Sequence, residues 1–383
     1  MTGSIRTSFL LPSSSRPLTS RLSARLPVTS LSSSPSSLLS QSQTTLAINR
    51  HTTNTKPANW NHSYKTASTL SGPQTLGFNI RRCKPLKTFP RTQYANMSTS
   101  QSTLTVEQQA ALVESSKKAA AFQAVKDYLE PTFLHVGIGS GSTVVYVVEA
   151  IAKLGSDVTS NMTFYPTGEQ SRQLILTAGL RLAYIQDLPS DASLDVAFDG
   201  ADEVDEDLNL IKGGGACLMQ EKIVATSAKK FVCVADFRKI SPRLGTSWKK
   251  GIPIEVLPMA ADRVLGELKA MGSIHPRVRS GLPGKAGPIV TDNGMLIIDA
   301  PFAPLLLPKD AQSGIKGGKG EDGVWTVDAL AQRLINIVGV AEVGLFHGKN
   351  GLEIASGGQK PVAAYFGLED GGVKVTKAGE ASS

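Results

Sequence analysis

Acidic residues are missing from the first 106 positions, and Glu107 is the first carboxylate in a chain of 383 residues. Twelve of the 40 Lys and Arg lie before it, leaving 28 basic against 32 acidic residues afterwards. The formal charge of +8 therefore belongs to the leading segment, and the rest is mildly acidic, which argues against nucleic acid as a partner. Cysteine is scarce. Cys83, Cys217 and Cys233 have no paired spacing, so neither a disulfide framework nor a zinc site can be built from them. The five His, at 51, 62, 135, 275 and 347, likewise lack ligand spacing, and no metal is expected. No apolar run approaches the ~18–20 residues of a membrane span, so no membrane partner is expected either.

Residues 1–100 are rich in Ser, Thr and Pro with spaced arginines (Arg6, Arg16, Arg21, Arg25). That composition suits an organellar transit peptide, and equally a disordered tail or an untranslated upstream extension, since Met97 offers a second start. A cytoplasmic location is expected, with a mitochondrial one as the alternative if the leader functions.

From Val106 onwards helical and extended patterns alternate. Helical spacing spans Val106–Leu129, Thr143–Leu154, Gln170–Ala178 and Cys217–Ala228, with apolar strands at Phe133–Val136, Leu194–Phe198 and Phe231–Ala235. Repeated strand–loop–helix units predict an α/β fold with a Rossmann-like, doubly wound parallel sheet, which binds ligands at the carboxyl ends of its strands. After Gly251 the pattern changes. A strand at 253–258, a helix at 261–271, a hairpin over 287–299 turning at Asp292-Asn293-Gly294, a helix at 327–338 and a strand at 340–346 give a β-α-β-β-α-β order. The expected organisation is a Rossmann-like catalytic domain over 101–250 plus 347–383, and a smaller ferredoxin-like α+β domain over 251–346. Residues 308–323 read as a surface loop.

Three features could carry chemistry. Gly137-Ile-Gly-Ser-Gly-Ser-Thr143 follows a strand and opens a helix, so its N–H groups and the hydroxyls of Ser142 and Thr143 suit a phosphate. It is neither the dinucleotide fingerprint nor a Walker loop, and a tight structural turn is the alternative reading. Asp199-Gly200-Ala201-Asp202-Glu203 sits at a strand's carboxyl end. Asp199 and Asp202 can point into one cavity, while Glu203, Asp205, Glu206 and Asp207 read as a solvated acidic turn. Lys212-Gly213-Gly214-Gly215 then exposes N–H donors at a helix start, with Lys212 as a cation. Glu221, just inside that helix and about one and a half turns from the candidate anion site, is the third feature and a candidate base.

At residues 195–224, DVAFDGADEVDEDLNLIKGGGACLMQEKIV, the chain resembles the signature segment of ribose-5-phosphate isomerase type A in its fungal form. GIGSGSTVVYV (137–147), FYPTGEQSRQLI (164–175), FVCVADFRK (231–239), GPIVTDNGMLIIDA (287–300) and VGLF (343–346) resemble that family in the same order. The resemblance covers about 106–378. It departs at the leader and at 300–324, which looks longer than the compact form. What it implies is an aldose–ketose isomerase acting on a small sugar phosphate through a carboxylate base and a cis-enediolate, in the non-oxidative pentose phosphate pathway. It further implies no metal or organic cofactor and a homo-oligomer. Glu221 matches the proton acceptor. Ser140, Gly141, Ser142 and Thr143, Asp199, Gly200, Ala201 and Asp202, Lys212, Gly213, Gly214 and Gly215, and Lys239 match substrate-contacting stretches; Lys117 matches a lysine near the phosphate. Asp199 and Lys212 join Glu221 as candidate catalytic groups. Lys118 and Lys222 read as solvated. A sugar-phosphate sensor and a CoA transferase are the competing classes, disfavoured by the retained Glu221 with Lys212 and by the DGADE segment respectively.

Overall fold

Thr105 caps the first helix reciprocally: its hydroxyl accepts the Gln108 N–H while the Gln108 side chain accepts the Thr105 N–H. The computed structural model describes residues 105–312 and 317–380, so the leader expected over 1–100 lies outside the described residues. Helix α1 (Val106–Tyr128) buries Ala120, Ala121, Ala124 and Val125, small residues that bring its backbone close to a sheet. A Cβ on Gly367 would collide with the Ser116 backbone, which is why glycine stands there.

The elements that follow are β1 (His135–Ile138), α2 (Val144–Ala152), α3 (Ser156–Thr159), β2 (Thr163–Pro166), α4 (Glu169–Thr177), β3 (Val196–Asp199), β4 (Glu203–Val204) and β5 (Leu210–Ile211). Next come α5 (Leu218–Thr226), β6 (Phe231–Asp236), β7 (Ile252–Val256), α6 (Ala261–Ala270), β8 (Arg277–Val278) and β9 (Leu296–Ala300). The chain closes with α7 (Pro308–Gln312), α8 (Val327–Ile335), β10 (Val340–Val343), β11 (Leu345–Phe346), β12 (Ala363–Gly367) and β13 (Val373–Lys377).

The main sheet runs β13-β12-β6-β3-β1-β2, parallel apart from β13. One face is covered by α1, α2 and α4 through Val136, Ile138, Phe164, Phe198, Val232 and Tyr365. On the other face α5 packs over Leu194 and Ala197, and the small antiparallel sheet β11-β5-β4 covers Phe231, Cys233 and Phe366. The chain leaves β1 toward β2 on one side and returns as β3 on the other. The loops after β1 and β3 therefore flank the crevice where such sheets take ligands. The second sheet, β10-β7-β9-β8, is antiparallel throughout and carries α6 and α8, which is the ferredoxin-like order.

The structure departs from the sequence reading in three places. The hairpin over 287–299 keeps its turn and β9, but its first arm shrinks to a bridge between Val290 and Leu296, and β8 takes the sheet position. Pro288 cannot donate to a ladder, and Gly287 has φ +121°. The strand expected over 340–346 is split at Gly344: β10 joins the second sheet and β11 the three-stranded one. A Cβ at 344 would strike the Lys212 carbonyl, which accepts no such neighbour. Finally, the stretch read as loop over 308–323 contains α7 and a 3-10 turn at Glu321–Gly323, with Trp325 buried just beyond and donating to the Met271 carbonyl at 3.0 Å.

Candidate active site

A cleft of about 250 Å³ opens at the carboxyl ends of β1, β3 and β6. Ser140, Gly141, Ser142 and Thr143 form one wall, Gly200–Asp202 and Lys212–Gly215 another, and Cys217, Glu221 and Lys239 complete it. Thus the Gly loop, the DGAD turn, the KGGG segment and Glu221 come together as their spacing suggested.

Ser140 is held from both ends. Its N–H donates to Asp199 Oδ1 at 3.1 Å, and its hydroxyl lies 2.7 Å from that of Thr167. Gly141 (φ +108°) donates its N–H to Gln170 Oε1 at 2.8 Å. Ser142 is exposed at the mouth, just before α2 begins.

Behind this loop lies a buried ionic cluster. Lys212, 2% exposed, is 2.9 Å from Asp199 Oδ2 and 3.4 Å from Glu221 Oε2, and donates to the Gly200 carbonyl at 2.6 Å. Burial works against its charge, yet the Asp199 and Glu221 carboxylates more than offset this and raise it above the ordinary lysine value. Burial also pushes both carboxylates up. Asp199 has compensation from Lys212 and from the N–H groups of Gly200 and Ser140. Glu221 has only Lys212, poorly aligned, so that no hydrogen bond reaches its Oε2 among the described residues. With Asp199 and Asp202 as like-charged neighbours, Glu221 rises from 4.5 to about 8. A buried carboxylate poised near neutrality and aimed into a cleft is the expected state of a general base.

Some candidates sit differently from expectation. Asp199 is buried behind Lys212 and does not line the cleft. The Gly214 N–H, expected to be a free donor, is taken by Asp202 Oδ2 at 2.7 Å. A Cβ on Gly214 would collide with that carboxylate, so the pairing requires glycine. Lys117 is buried and outside the cleft lining: its Nζ binds Glu114 at 2.6 Å beside a neighbouring groove that also touches Arg238. Lys239 does line the cleft, its ammonium 5.4 Å over the Trp248 ring. Lys118, as expected, is half-exposed and pairs with Glu149 at 2.8 Å.

Three residues read as solvated are buried. Glu203 accepts the N–H groups of Gly245 (2.6 Å) and Ser247 (2.5 Å), satisfying a loop rather than facing water. Asp205 is buried and pushed up to about 6, although it accepts bonds from Asn209 and Asp207. Lys222 donates to the carbonyls of Val343 (2.6 Å) and Leu345 (2.8 Å) and pairs with Glu342 at 2.8 Å. These partners lie more than a hundred residues away, which no helical pattern could announce.

Gln170, Asp236 and Arg238 also line the cleft and went unread as single residues, although FYPTGEQSRQLI and FVCVADFRK carry all three. Burial and the nearby Glu221 charge push Cys217 up to about 11, so it stays a thiol. Among the described residues no group of three or more His, Cys, Asp and Glu is placed to hold a metal ion.

The cleft thus pairs a glycine-rich loop at one end with a buried, raised carboxylate beside a buried lysine at the other. Such an arrangement is suited to proton transfer on a small anionic molecule. The comparisons with known proteins point to one family. A family model described as ribose 5-phosphate isomerase A (phosphoriboisomerase A) matches residues 163–359. The ribose-5-phosphate isomerase of Debaryomyces hansenii is 47% identical over 266 residues, covering 69% of this chain and 92% of that one. That of Mycosarcoma maydis is 47% identical over 269 residues, covering 70% and 83%. Among solved structures, a D-ribose-5-phosphate isomerase in complex with phospho-erythronic acid is 32% identical with a TM-score of 0.56, covering 69% of this chain and 99% of its own. The Methanocaldococcus jannaschii enzyme is 30% identical with a TM-score of 0.55, with the same coverage. The chain belongs to the ribose 5-phosphate isomerase A family, and its activity is that of an aldose–ketose isomerase.

Proposed function

We propose that the cleft interconverts D-ribose 5-phosphate and D-ribulose 5-phosphate through a cis-enediolate, with Glu221 as the single base. The observation that carries this reading is the Glu221 carboxylate: buried, raised to about 8 and lacking a hydrogen bond on Oε2. It takes the proton from C2 of the open-chain aldose. The C1 carbonyl oxygen becomes an oxyanion, and the electron pair of the C2–H bond forms the C1–C2 double bond. Protonation of O1, loss of the O2 proton and return of the first proton from Glu221 to C1 complete the ketose. Atoms balance without an oxidant, a metal or an organic cofactor.

Lys212 and the Gly215 N–H, both lining the cleft, are the donors assigned to the oxyanion, where one fixed donor contributes ~3–4 kcal/mol to the transition state. Asp199 reaches the reaction only through Lys212 Nζ, 2.9 Å away, so ring opening of the furanose by this pair runs through the lysine. Asp202, which lines the cleft, holds sugar hydroxyls as well as the Gly214 N–H. The Ser140–Thr143 wall and Lys239 take the phosphate. Lys117, paired with Glu114 and outside the cleft lining, is too committed for a first contact. Phospho-erythronic acid, which a relative binds, suits this cleft because it carries a phosphate at one end and an anionic carboxylate at the other, as the enediolate carries a phosphate and an oxyanion. Assembly as a homo-oligomer, a cytoplasmic location and service in the non-oxidative pentose phosphate pathway belong to the same proposal, on the strength of the family.

The deciding experiment is conversion of ribose 5-phosphate in D₂O, read by NMR. Proton transfer through an enediolate places solvent deuterium at C1 of the product in a measurable fraction of turnovers. A product formed at full rate with no deuterium at C1 would point to a direct hydride shift and remove Glu221 from its role.

A further inference from the structure

We propose that Arg279, a residue of the second sheet, is a positioning residue for the isomerisation: it clamps the glycine loop so that the Gly215 N–H is fixed toward the oxyanion. The inference rests on the enediolate reading above and deepens it. Three consecutive glycines lose more backbone freedom on ordering than any other sequence. Within the loop the one backbone bond offsetting this is the Ala216 N–H, donating to the Gly213 carbonyl at 3.0 Å, so further preorganisation must come from outside. Arg279 follows β8, and its side chain is only 15% exposed. Its Nη1 donates to the carbonyls of both Gly213 (2.9 Å) and Gly214 (3.0 Å). The rest of the guanidinium is locked bidentately on buried Asp299 of β9, at 3.0 and 2.5 Å.

Each contact fixes a peptide plane. In a trans peptide the C=O and N–H point in opposite directions. The plane between Gly213 and Gly214 is gripped at both ends, by Arg279 on its oxygen and by Asp202 on its N–H. The next plane has its oxygen on Arg279, which turns the Gly215 N–H away from the guanidinium. Gly215 lines the cleft, and an added Cβ there would meet nothing within 4 Å. A cation on the two carbonyls also polarises both amides and strengthens the donor they present. Asp299 neutralises the guanidinium, so the clamp adds little net charge to the cleft. A purely structural arginine would need only Asp299; here it also spends donors on the two carbonyls behind the oxyanion site.

The test compares Arg279→Met and Arg279→Lys with the wild type in the full chain. Turnover of ribose 5-phosphate is measured alongside binding of phospho-erythronate and of inorganic phosphate by calorimetry. The Met variant is expected to lose on the order of 10² in kcat, the cost of a misplaced oxyanion donor. Its KM should stay within about threefold, since the interaction lost is made in the transition state. Phospho-erythronate should bind at least ~10-fold more weakly and phosphate unchanged, because only the carboxylate needs the Gly215 donor. Lysine, which can reach Asp299 and one carbonyl but not both, should fall between. Wild-type kcat, a rise in KM alone, or equal weakening of both ligands would overturn the clamp. If the Met variant does not fold, the ratio of the two affinities in the Lys variant decides: a fallen ratio supports the clamp and a constant ratio overturns it. Full activity of Glu221→Gln, or failure of the wild type to bind phospho-erythronate, would instead sink the enediolate reading.

Discussion

Ser142 at the mouth of the cleft faces solvent, on a loop held by the side chains of Asp199, Thr167 and Gln170, whereas Glu221 at the other end is 4% exposed and shares one lysine with Asp199. On the proposed reading the mouth takes the phosphate, and its donors need no tuning, because a phosphate is charged wherever it binds. The deep end must hold a carboxylate in a state it would not adopt in water. Binding can thus be built from exposed backbone, while proton abstraction requires burial and an incompletely paired acid.

Glu221→Gln breaks the deep end most sharply. It keeps the shape and removes the basic oxygen, so kcat should fall by ~10² or more while phosphate binding persists. A variant within threefold of wild type would show that another group is the base. At the mouth, Ser142→Ala or Thr143→Val should raise KM by roughly tenfold and leave kcat unchanged, the loss of one hydrogen bond to a charged group. A matching fall in kcat would mean that the two ends are not separable.

The pH profile sharpens the contrast. Glu221 must be ionised in the free enzyme, so kcat/KM should fall tenfold per unit below about 8 and level off above it. Asp199→Asn removes a like charge and leaves Lys212 to Glu221 alone, which lowers the Glu221 value. The acid limb of that variant should therefore move to lower pH, whatever its maximal rate. An unmoved limb would assign the ionisation elsewhere.

The smallest expected effect is on stability. A carboxyl raised from 4.5 to about 8 by folding holds its proton longer in the native state than in the unfolded one. The native state then binds more protons between these values, and stability falls as pH rises from about 4.5 to 8. Glu221→Gln escapes this loss. Its melting temperature should exceed that of the wild type by a few degrees above pH 8, with the advantage shrinking toward pH 5. An advantage independent of pH would separate it from this ionisation.

Much of the site was legible because it is nearly contiguous. Asp199, Asp202, Lys212–Gly215 and Glu221 occupy one strand–loop–helix passage, where local pattern and spatial neighbourhood coincide. The alternation of strand and helix likewise announced the parallel sheet, since buried central strands must be apolar throughout. What stayed hidden was made by distant partners. Arg279 reaches Gly213 across 66 positions, and Lys222 meets Val343 across 121. Nothing local distinguishes such residues from an ordinary surface arginine or lysine. Glu203 misled for a related reason: an acid in an acidic run looks solvated, but its bonds go to Gly245 and Ser247.

The split strand at 340–346 bears on how this enzyme can be recombined. Gly344 donates to the Pro253 carbonyl and accepts the Lys212 N–H, so one residue without a side chain rivets the second sheet to the backbone of the buried Lys212. Chimeras that exchange residues 251–346 with a relative would import a foreign partner for that rivet. Only donors carrying glycine at the matching position should yield active hybrids, which makes the two sheets a single heritable part rather than interchangeable modules.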